Sequence, residues 1–210
     1  MAVAIDPKDV NDFLYGLYRE VSAGKTSVSC RKQNNLSSNF SFIYGESHLP
    51  SLNEIFLQVS PQPGEVFYDF GSGGGRVVLF AALSFPFSKT VGIELLDGLV
   101  SLANNQLKLM RERLPYVSNF DASKLGKIEF INDDFTKVNV NDADIIYIAS
   151  TCFSGKLMWQ TATFLENQVK VGTRVITCAQ RLPSEKFKVN KSEIYSMEWG
   201  QSTIYFQEKI

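Results

Sequence analysis

From residue 65 onward, apolar runs of strand length alternate with segments whose apolar residues recur at helical spacing. The strand-like runs read EVFYDF, TVGIEL, KIEFIN, DIIYIAS and TRVITCA. The helix-like segments between them read GRVVLFAAL, LDGLVSLANNQLKLMRERL and KLMWQTATFLENQV. Because parallel strands need a crossover connection, usually a helix, this alternation predicts an α/β fold with a doubly wound parallel sheet.

The two ends of the chain depart from this alternation. Residues 6–21 open with Asp-Pro and carry apolar residues at helical spacing, and HLPSLNEIFLQV predicts a second short helix. Residues 22–41, rich in Ser, Asn and Lys, predict a mobile loop or linker. The stretch EIYSMEWGQSTIYFQEK predicts an antiparallel hairpin around a Gly-Gln-Ser turn, added at one sheet edge. We therefore divide the chain into an N-terminal helix and loop, 1–41, and one domain, 42–210.

Composition and charge narrow the class of protein. The chain has 210 residues, 44% of them hydrophobic, and a formal net charge of −1, so no overall positive field gathers nucleic acid. Its three cysteines lie far apart without metal-ligand spacing, and we interpret them as reduced thiols with no metal site. There is no signal-peptide pattern, and VVLFAALSFPF is about half as long as a membrane span. We expect an intracellular protein, cytoplasmic or nuclear.

A glycine-rich turn joins the first predicted strand of the domain to the helix that follows. It reads Asp69-Phe70-Gly71-Ser72-Gly73-Gly74-Gly75-Arg76. Ligands of doubly wound sheets bind outside the carboxyl ends of the strands, and glycines let the backbone pass close to them. The dinucleotide fingerprint requires glycine where Arg76 stands, which favours a ligand without pyrophosphate over a nicotinamide cofactor. A purely structural β–α turn is the alternative.

Acidic and aromatic residues follow the next two predicted strands. Glu94 ends VGIEL, where a carboxylate can accept hydrogen bonds from both ribose hydroxyls. Asp133, Asp134 and Phe135 follow KIEFIN, where an acid suits an adenine amino group and an aromatic ring suits a base face. Each is also typical of an ordinary strand end or acidic turn. In series with the glycine turn, they predict a nucleoside site.

The series FYDFGSGGG, VGIE and NDDF resembles the class I S-adenosylmethionine-dependent methyltransferases. The stretches FIYGES and MEWGQSTIYF add a resemblance to the Disruptor-of-telomeric-silencing family, over residues 42–208. These are non-SET lysine methyltransferases that modify the globular core of histone H3. The resemblance implies a Rossmann-like class I methyltransferase sheet, S-adenosylmethionine as cofactor and a protein lysine as acceptor. We expect no contact with a membrane and no nucleic-acid binding by this chain alone.

The resemblance also implies roles for individual residues. Those that bind the cofactor are Tyr44, Gly45, Glu46 and Ser47 in a covering loop, Asp69, Gly71, Ser72, Gly73, Gly75 and Arg76 in the glycine turn, Glu94 for the ribose, and Asp134 and Phe135 for the adenine. Trp199 and Tyr205 match aromatics of the lysine channel, to which we add Tyr44 and Phe153 as candidates. Arg76 stands where the family commonly has Gln.

One motif departs from the family. After the fourth strand the family has Asn-Asn-Phe-x-Phe, and this chain has ASTCF, in which Ser150 or Thr151 offers a hydroxyl toward the cofactor or the amine. We therefore predict Tyr205, Trp199 and Ser150 as the residues nearest the chemistry. Alternatives are a small-molecule methyltransferase and a cofactor-binding pseudo-enzyme. Methylation of base amino groups is disfavoured because the Asn/Asp-Pro-Pro-aromatic motif is absent.

Overall fold

A computed structural model describes residues 6–38, 41, 43–117 and 125–210. The helices are α1 (Pro7–Tyr18), α2 (Ala23–Gln33), α3 (Leu49–Leu57), α4 (Arg76–Ser84), α5 (Asp97–Arg113) and α6 (Gly155–Gln168). The strands are β1 (Val66–Phe70), β2 (Lys89–Glu94), β3 (Lys127–Asn132), β4 (Ile145–Ile148), β5 (Arg174–Cys178), β6 (Phe187–Met197) and β7 (Gly200–Lys209). Residues 39, 40 and 42, which belong to the predicted loop and to FIYGES, lie outside the described residues, so the domain boundary at 41/42 stays a prediction.

The seven strands found in the described residues form one sheet in the order β3-β2-β1-β4-β5-β7-β6. Strands β1 to β5 are parallel, and β7 pairs antiparallel with both β5 and β6. In the centre, Phe70 of β1 lies between Ile93 of β2 and Ile148 of β4. The predicted α/β fold with a C-terminal antiparallel hairpin is confirmed, and the carboxyl ends of β1, β2 and β4 meet along one rim.

Apolar layers cover both faces of the sheet. On one face, α1, α3, α4 and α5 bury a cluster that includes Leu14, Phe56 and Phe80. On the other face, α6 packs over a cluster that includes Phe70 and Ile146. These layers leave the rim at the carboxyl ends as the place where polar side chains collect. Among the described residues, no helix combines the length and apolar character that crossing a membrane requires.

The loop predicted over 22–41 is wrong for Ala23–Gln33, which forms α2. The buried residues of α2 are Ala23, Ser27 and Cys30, which recur at helical spacing on one face. Through this face α2 packs on α5, beside Leu96 and Leu99. Because the buried side chains are small and partly polar, the hydrophobic pattern does not reveal the helix.

The hairpin is present, but its turn differs from the predicted Gly-Gln-Ser. Met197 pairs with Gly200, so the turn is formed by Glu198 and Trp199, and residues 200–202 already belong to β7. Gly200 has a φ of +120°, in the region that favours glycine. The strand β6 also begins earlier than predicted. As a result, Trp199 stands at the tip of the hairpin, beyond the carboxyl ends of the parallel strands.

Candidate functional site

A pocket lies beyond the carboxyl ends of β1, β2 and β4. Its walls include the glycine turn, the rim acids and residues 43–47, which we call the cover segment. Of the predicted cofactor residues, those that line it are Tyr44, Gly45, Glu46, Ser47, Asp69, Gly71, Ser72, Gly73, Arg76, Glu94, Asp134 and Phe135. The strand order therefore brings most of the predicted set together.

The glycine turn owes its shape to two different constraints. Gly73 has a φ of +53°, and a Cβ atom added there would lie 2.6 Å from Cε2 of Tyr44. Gly75 does not line the pocket, and its added Cβ would lie 2.6 Å from Cζ of Phe130 and 2.8 Å from Cβ of Ala103. Gly73 thus gives room for the cover segment, whereas Gly75 gives room for core packing beneath α4.

Glu94 is a buried carboxylate held by backbone donors. Its Oε2 accepts from the Gly73 amide at 2.9 Å, and its Oε1 accepts from the Leu96 amide at 2.9 Å. Burial raises the pKa of the Glu94 carboxyl, and these backbone hydrogen bonds oppose that rise. The side chain is therefore fixed at the wall of the pocket, where both oxygens retain lone pairs for further donors.

Asp69, at the carboxyl side of β1, is 3% exposed. Within the described ranges, no side chain or amide donates a hydrogen bond to its carboxyl group, and no cation pairs with it. Burial raises the pKa of Asp69 well above its usual value, and the neighbouring Glu94 raises it further. A buried carboxyl of this kind, facing a pocket, is suited to an amine or hydroxyl donor supplied by a ligand.

The far end of the pocket is aromatic. Phe135 stacks on Phe70 with centroids 4.9 Å apart and on Phe153 with centroids 6.0 Å apart. Beside it, Asp134 Oδ1 accepts from the amide and hydroxyl of Thr136, at 3.0 and 2.7 Å, and its other oxygen remains available. This wall presents a flat apolar surface next to a carboxylate. Phe153, a candidate for the lysine channel, belongs to this stack.

Three hydroxyl contacts fix the cover segment and the turn beneath it. Tyr44 donates to Glu46 Oε1 at 2.9 Å, and the Ser47 hydroxyl lies 2.8 Å from that of Tyr147. Tyr18 donates to the Gly74 carbonyl at 2.8 Å. Sequence reasoning missed Tyr147 and Tyr18. The only available signal was for Tyr147, which is the one hydroxyl within the apolar run DIIYI.

The residues predicted nearest the chemistry do not all reach the pocket. Trp199 lines it, and its ring carbon Cε3 would lie 3.0 Å from a Cβ added at Gly45. Ser150 does not: it is fully buried, and its hydroxyl donates to the Cys178 carbonyl at 2.6 Å. Tyr205 pairs with Thr177, the second-last residue of β5, and is not among the residues that line the pocket. Ser150 and Tyr205 are thus not placed in the pocket lining and their predicted roles stay predictions, whereas Thr151 lines the pocket.

Sequence comparison links the chain to lysine methyltransferases. Residues 25–202 match the family model described as histone methylation protein DOT1. The H3 lysine-79 specific histone-lysine N-methyltransferase of Caenorhabditis elegans is 30% identical over 72% of this chain and 15% of that protein. The corresponding enzyme of Eremothecium gossypii is 29% identical over 68% of this chain and 25% of that protein. The chain thus spans a quarter or less of these two relatives.

A shorter relative and two solved structures extend the comparison. A protein-lysine N-methyltransferase of Saccharolobus islandicus is 25% identical over 67% of this chain and 77% of that protein. The structure of an RNA methyltransferase from Salinibacter ruber, bound to S-adenosyl-L-homocysteine, has a TM-score of 0.59, 21% identity and coverage of 76% and 90% of the two chains. The structure of TrmN from Thermus thermophilus has a TM-score of 0.59 and 17% identity, and the match covers 76% of this chain and 48% of TrmN. The two structures are similar in fold.

Proposed function

Because the chain belongs to the histone methylation protein DOT1 family, we propose that it binds S-adenosylmethionine and transfers its methyl group to a protein lysine. The observation that carries this proposal is the pair of buried acids at the ends of adjacent strands, Asp69 and Glu94. S-adenosylmethionine offers an ammonium group, a donor that Asp69 lacks among the described residues, and a ribose diol that can donate to the remaining lone pairs of Glu94.

The other pocket residues support the same ligand. We assign the adenine to the aromatic wall that includes Phe135, with Asp134 accepting from the adenine amino group. The ribose hydroxyls donate to Glu94, and the ammonium of the methionine part donates to Asp69. The cover segment, with Tyr44 above Gly73, closes over the methionine part. The pocket offers no cluster of three His, Cys, Asp or Glu side chains among the described residues, and the assignment uses no metal.

Bound S-adenosylmethionine supplies a methyl group that its sulfonium already activates, so the protein must mainly align the acceptor and exclude water. A lysine must reach the pocket as a neutral amine. Trp199 and Tyr44 place aromatic rings at the pocket, and such desolvating surroundings lower the pKa of an ammonium group. The proton is released to water before the amine enters. Of the two hydroxyl residues predicted near the amine, Ser150 and Thr151, only Thr151 lines the pocket, and its hydroxyl can accept a hydrogen bond there.

A protein lysine is the acceptor named for the relatives from Caenorhabditis elegans and Saccharolobus islandicus. The formal net charge of −1 supports a protein rather than a nucleic acid as the partner of this chain alone. We propose an intracellular location, which is nuclear if the acceptor is a histone. A second function, cofactor binding without transfer, is favoured by one observation, the buried Ser150 hydroxyl bonded to Cys178 in place of an asparagine.

Calorimetric titration with S-adenosylmethionine, S-adenosylhomocysteine and NAD tests the cofactor. We expect saturable one-to-one binding of the first two and none of NAD. Glu94→Gln is expected to weaken binding about tenfold, because it removes charge-assisted hydrogen bonds. Glu129→Gln is the control, since Glu129 pairs with Lys127 and lies outside the pocket. Saturable NAD binding without binding of S-adenosylmethionine would overturn the assignment.

Transfer of a radiolabelled methyl group to histones, to a lysine-rich cell extract and to free amines tests the reaction. Labelling of protein, lost in Glu94→Gln, is the expected result. Labelling of free amines alone would identify a small-molecule enzyme. Normal cofactor binding with no labelled acceptor would favour the second function.

A further inference from the structure

We propose that Arg76 is a positioning residue that ties the cover segment to the hairpin turn, and that Glu198 slows cofactor release by acting through it. This inference rests on the proposed function. Arg76 begins α4 and is 8% exposed. Its Nη1 donates to Glu46, its Nη2 lies 3.8 Å from Glu198 Oε1, and its guanidinium lies 5.1 Å from the ring centroid of Tyr15.

On the side of the cover segment, Arg76 acts through Glu46. The Glu46 Oε2 accepts from Arg76 and the Oε1 accepts from Tyr44, so both oxygens are engaged. Tyr44 in turn lies against Gly73 in the glycine turn. Through Glu46, Arg76 therefore holds the Tyr44 ring in place over the glycine turn.

On the side of the hairpin, the turn has two attachments. Glu198 faces Arg76, and its neighbour Trp199 packs against Gly45 in the cover segment. Trp199 lines the cofactor pocket, whereas Glu198 lines only a neighbouring cleft that it shares with Tyr15 and Arg76. Glu198 thus lies outside the cofactor pocket and reaches it through Arg76.

Two of the three guanidinium nitrogens of Arg76 have no hydrogen-bond partner among the described residues, so its ion pair with Glu198 matters. Nε and Nη2 are buried and make no hydrogen bond among the described residues. The Oε1 of Glu198 lies 3.8 Å from Nη2, a distance that is an ion pair but longer than a hydrogen bond. Removing that charge leaves the Arg76 guanidinium paired, among the described carboxylates, with Glu46 alone and frees the turn from α4. The cover segment and the hairpin turn then separate more readily, and the ligand is released faster.

The test is stopped-flow dissociation of S-adenosylhomocysteine from four proteins: the parent, Glu198→Gln, Arg76→Gln and the double variant. Each carries Trp159→Phe, so that Trp199 is the only tryptophan and reports release. At low salt we expect Glu198→Gln to speed release about twofold to fivefold, as for a partly exposed ion pair. The difference shrinks at about 1 M NaCl because the charges are screened. In the Arg76→Gln background, Glu198→Gln changes nothing further.

Glu193→Gln is the matched control. Glu193 lies on the same hairpin and its side chain is 43% exposed, as is that of Glu198, but it pairs with Lys191. It is expected to release the ligand at the parent rate. An unchanged rate in Glu198→Gln at low salt, or an equal effect with and without Arg76, overturns the inference.

Two further measurements separate this inference from its premise. If the parent binds no S-adenosylhomocysteine, the proposed function fails. Amide hydrogen exchange of residues 44–46 then tests whether Glu198 and Arg76 hold the cover segment. Faster exchange in Glu198→Gln but not in Glu193→Gln supports it, and equal exchange overturns it. If Arg76→Gln does not fold, the salt dependence of Glu198→Gln relative to Glu193→Gln decides instead.

Discussion

The Tyr147 hydroxyl lies 2.8 Å from the Ser47 hydroxyl, although the two residues are 100 positions apart in the chain. Tyr147 is fully buried in β4, and its hydroxyl also lies 3.3 Å from Cys178 Sγ. Burial raises the pKa of Tyr147 well above its usual value, so the phenol stays protonated. Through this contact the cover segment is attached to the central strands of the sheet.

Tyr147→Phe is expected to lower the free energy of unfolding by about 1 kcal/mol, because Ser47 loses its buried partner. It is also expected to weaken S-adenosylhomocysteine binding about threefold or more, because the cover segment loosens. Chemical denaturation and calorimetry measure the two effects. The control is Tyr68→Phe, whose hydroxyl bonds Asp142 outside the pocket and whose loss affects stability alone. Parent-like affinity in Tyr147→Phe would contradict the assigned role.

Asp69 makes the stability of the ligand-free protein depend on pH. Its pKa is raised in the folded state, mainly by burial, so the folded protein keeps a proton that the unfolded chain releases. The associated stability is present below the usual carboxyl pKa and is lost as the pH rises through the raised pKa. We expect the free energy of unfolding to fall as the pH rises above the usual carboxyl pKa, by about 1.4 kcal/mol per unit of pKa difference.

Asp69→Asn is expected to flatten this pH dependence and to raise stability at neutral pH, while weakening cofactor binding. Asp142→Asn provides a control of opposite sign, because the pKa of Asp142 is lowered, by hydrogen bonds to Lys89 and Tyr68. It is expected to lose stability at neutral pH. A parent-like pH profile in Asp69→Asn would show that the carboxyl does not titrate as its burial requires.

Gly73→Ala is expected to weaken cofactor binding by tenfold or more. Both the positive φ and the 2.6 Å approach to Tyr44 oppose a Cβ atom at this position, so the cover segment must shift. Gly172→Ala is the matched control, because Gly172 has a φ of +86° but no atom within 4 Å of an added Cβ. It shares the backbone strain without the clash. Equal affinities of the two variants would exclude a role for the Tyr44 contact.

Phe135→Ala is expected to weaken S-adenosylhomocysteine binding about fivefold to a hundredfold, from the 1–3 kcal/mol typical of stacking a base on an aromatic ring. Calorimetry at constant pH provides the measurement. Phe164→Ala is the comparison, since Phe164 contacts the same Phe70 but lies outside the pocket. It should reduce stability only. If both variants bind as the parent does, the adenine lies elsewhere.

Sequence patterns predicted the sheet and its rim well, because polar residues that interrupt apolar strands mark the carboxyl ends where Asp69 and Glu94 lie. The errors concern side-chain direction and small residues. Ser150 and Thr151 are adjacent, and only the fold decides which of them faces the pocket. The hairpin turn is at Glu198 and Trp199 and not at Gly200, and of the two predicted hairpin aromatics only Trp199 lines the pocket. Tyr147 was missed because nothing in the sequence pairs it with Ser47.

The antiparallel strand β7 fills the space between β5 and β6, and this arrangement has a consequence for how the protein folds. The units β1–α4–β2 and β4–α6–β5 join strands that are close in sequence, so their pairing closes comparatively short loops. The cover segment and Arg76 contact the hairpin turn at Trp199 and Glu198, so these contacts form only after residues 200–209 have paired. A chain with a folded glycine turn but an unpaired hairpin would have Asp69 and Glu94 in place but would lack the contact of Trp199 with the cover segment. Ligand affinity therefore reports completion of the whole domain, not of its first half.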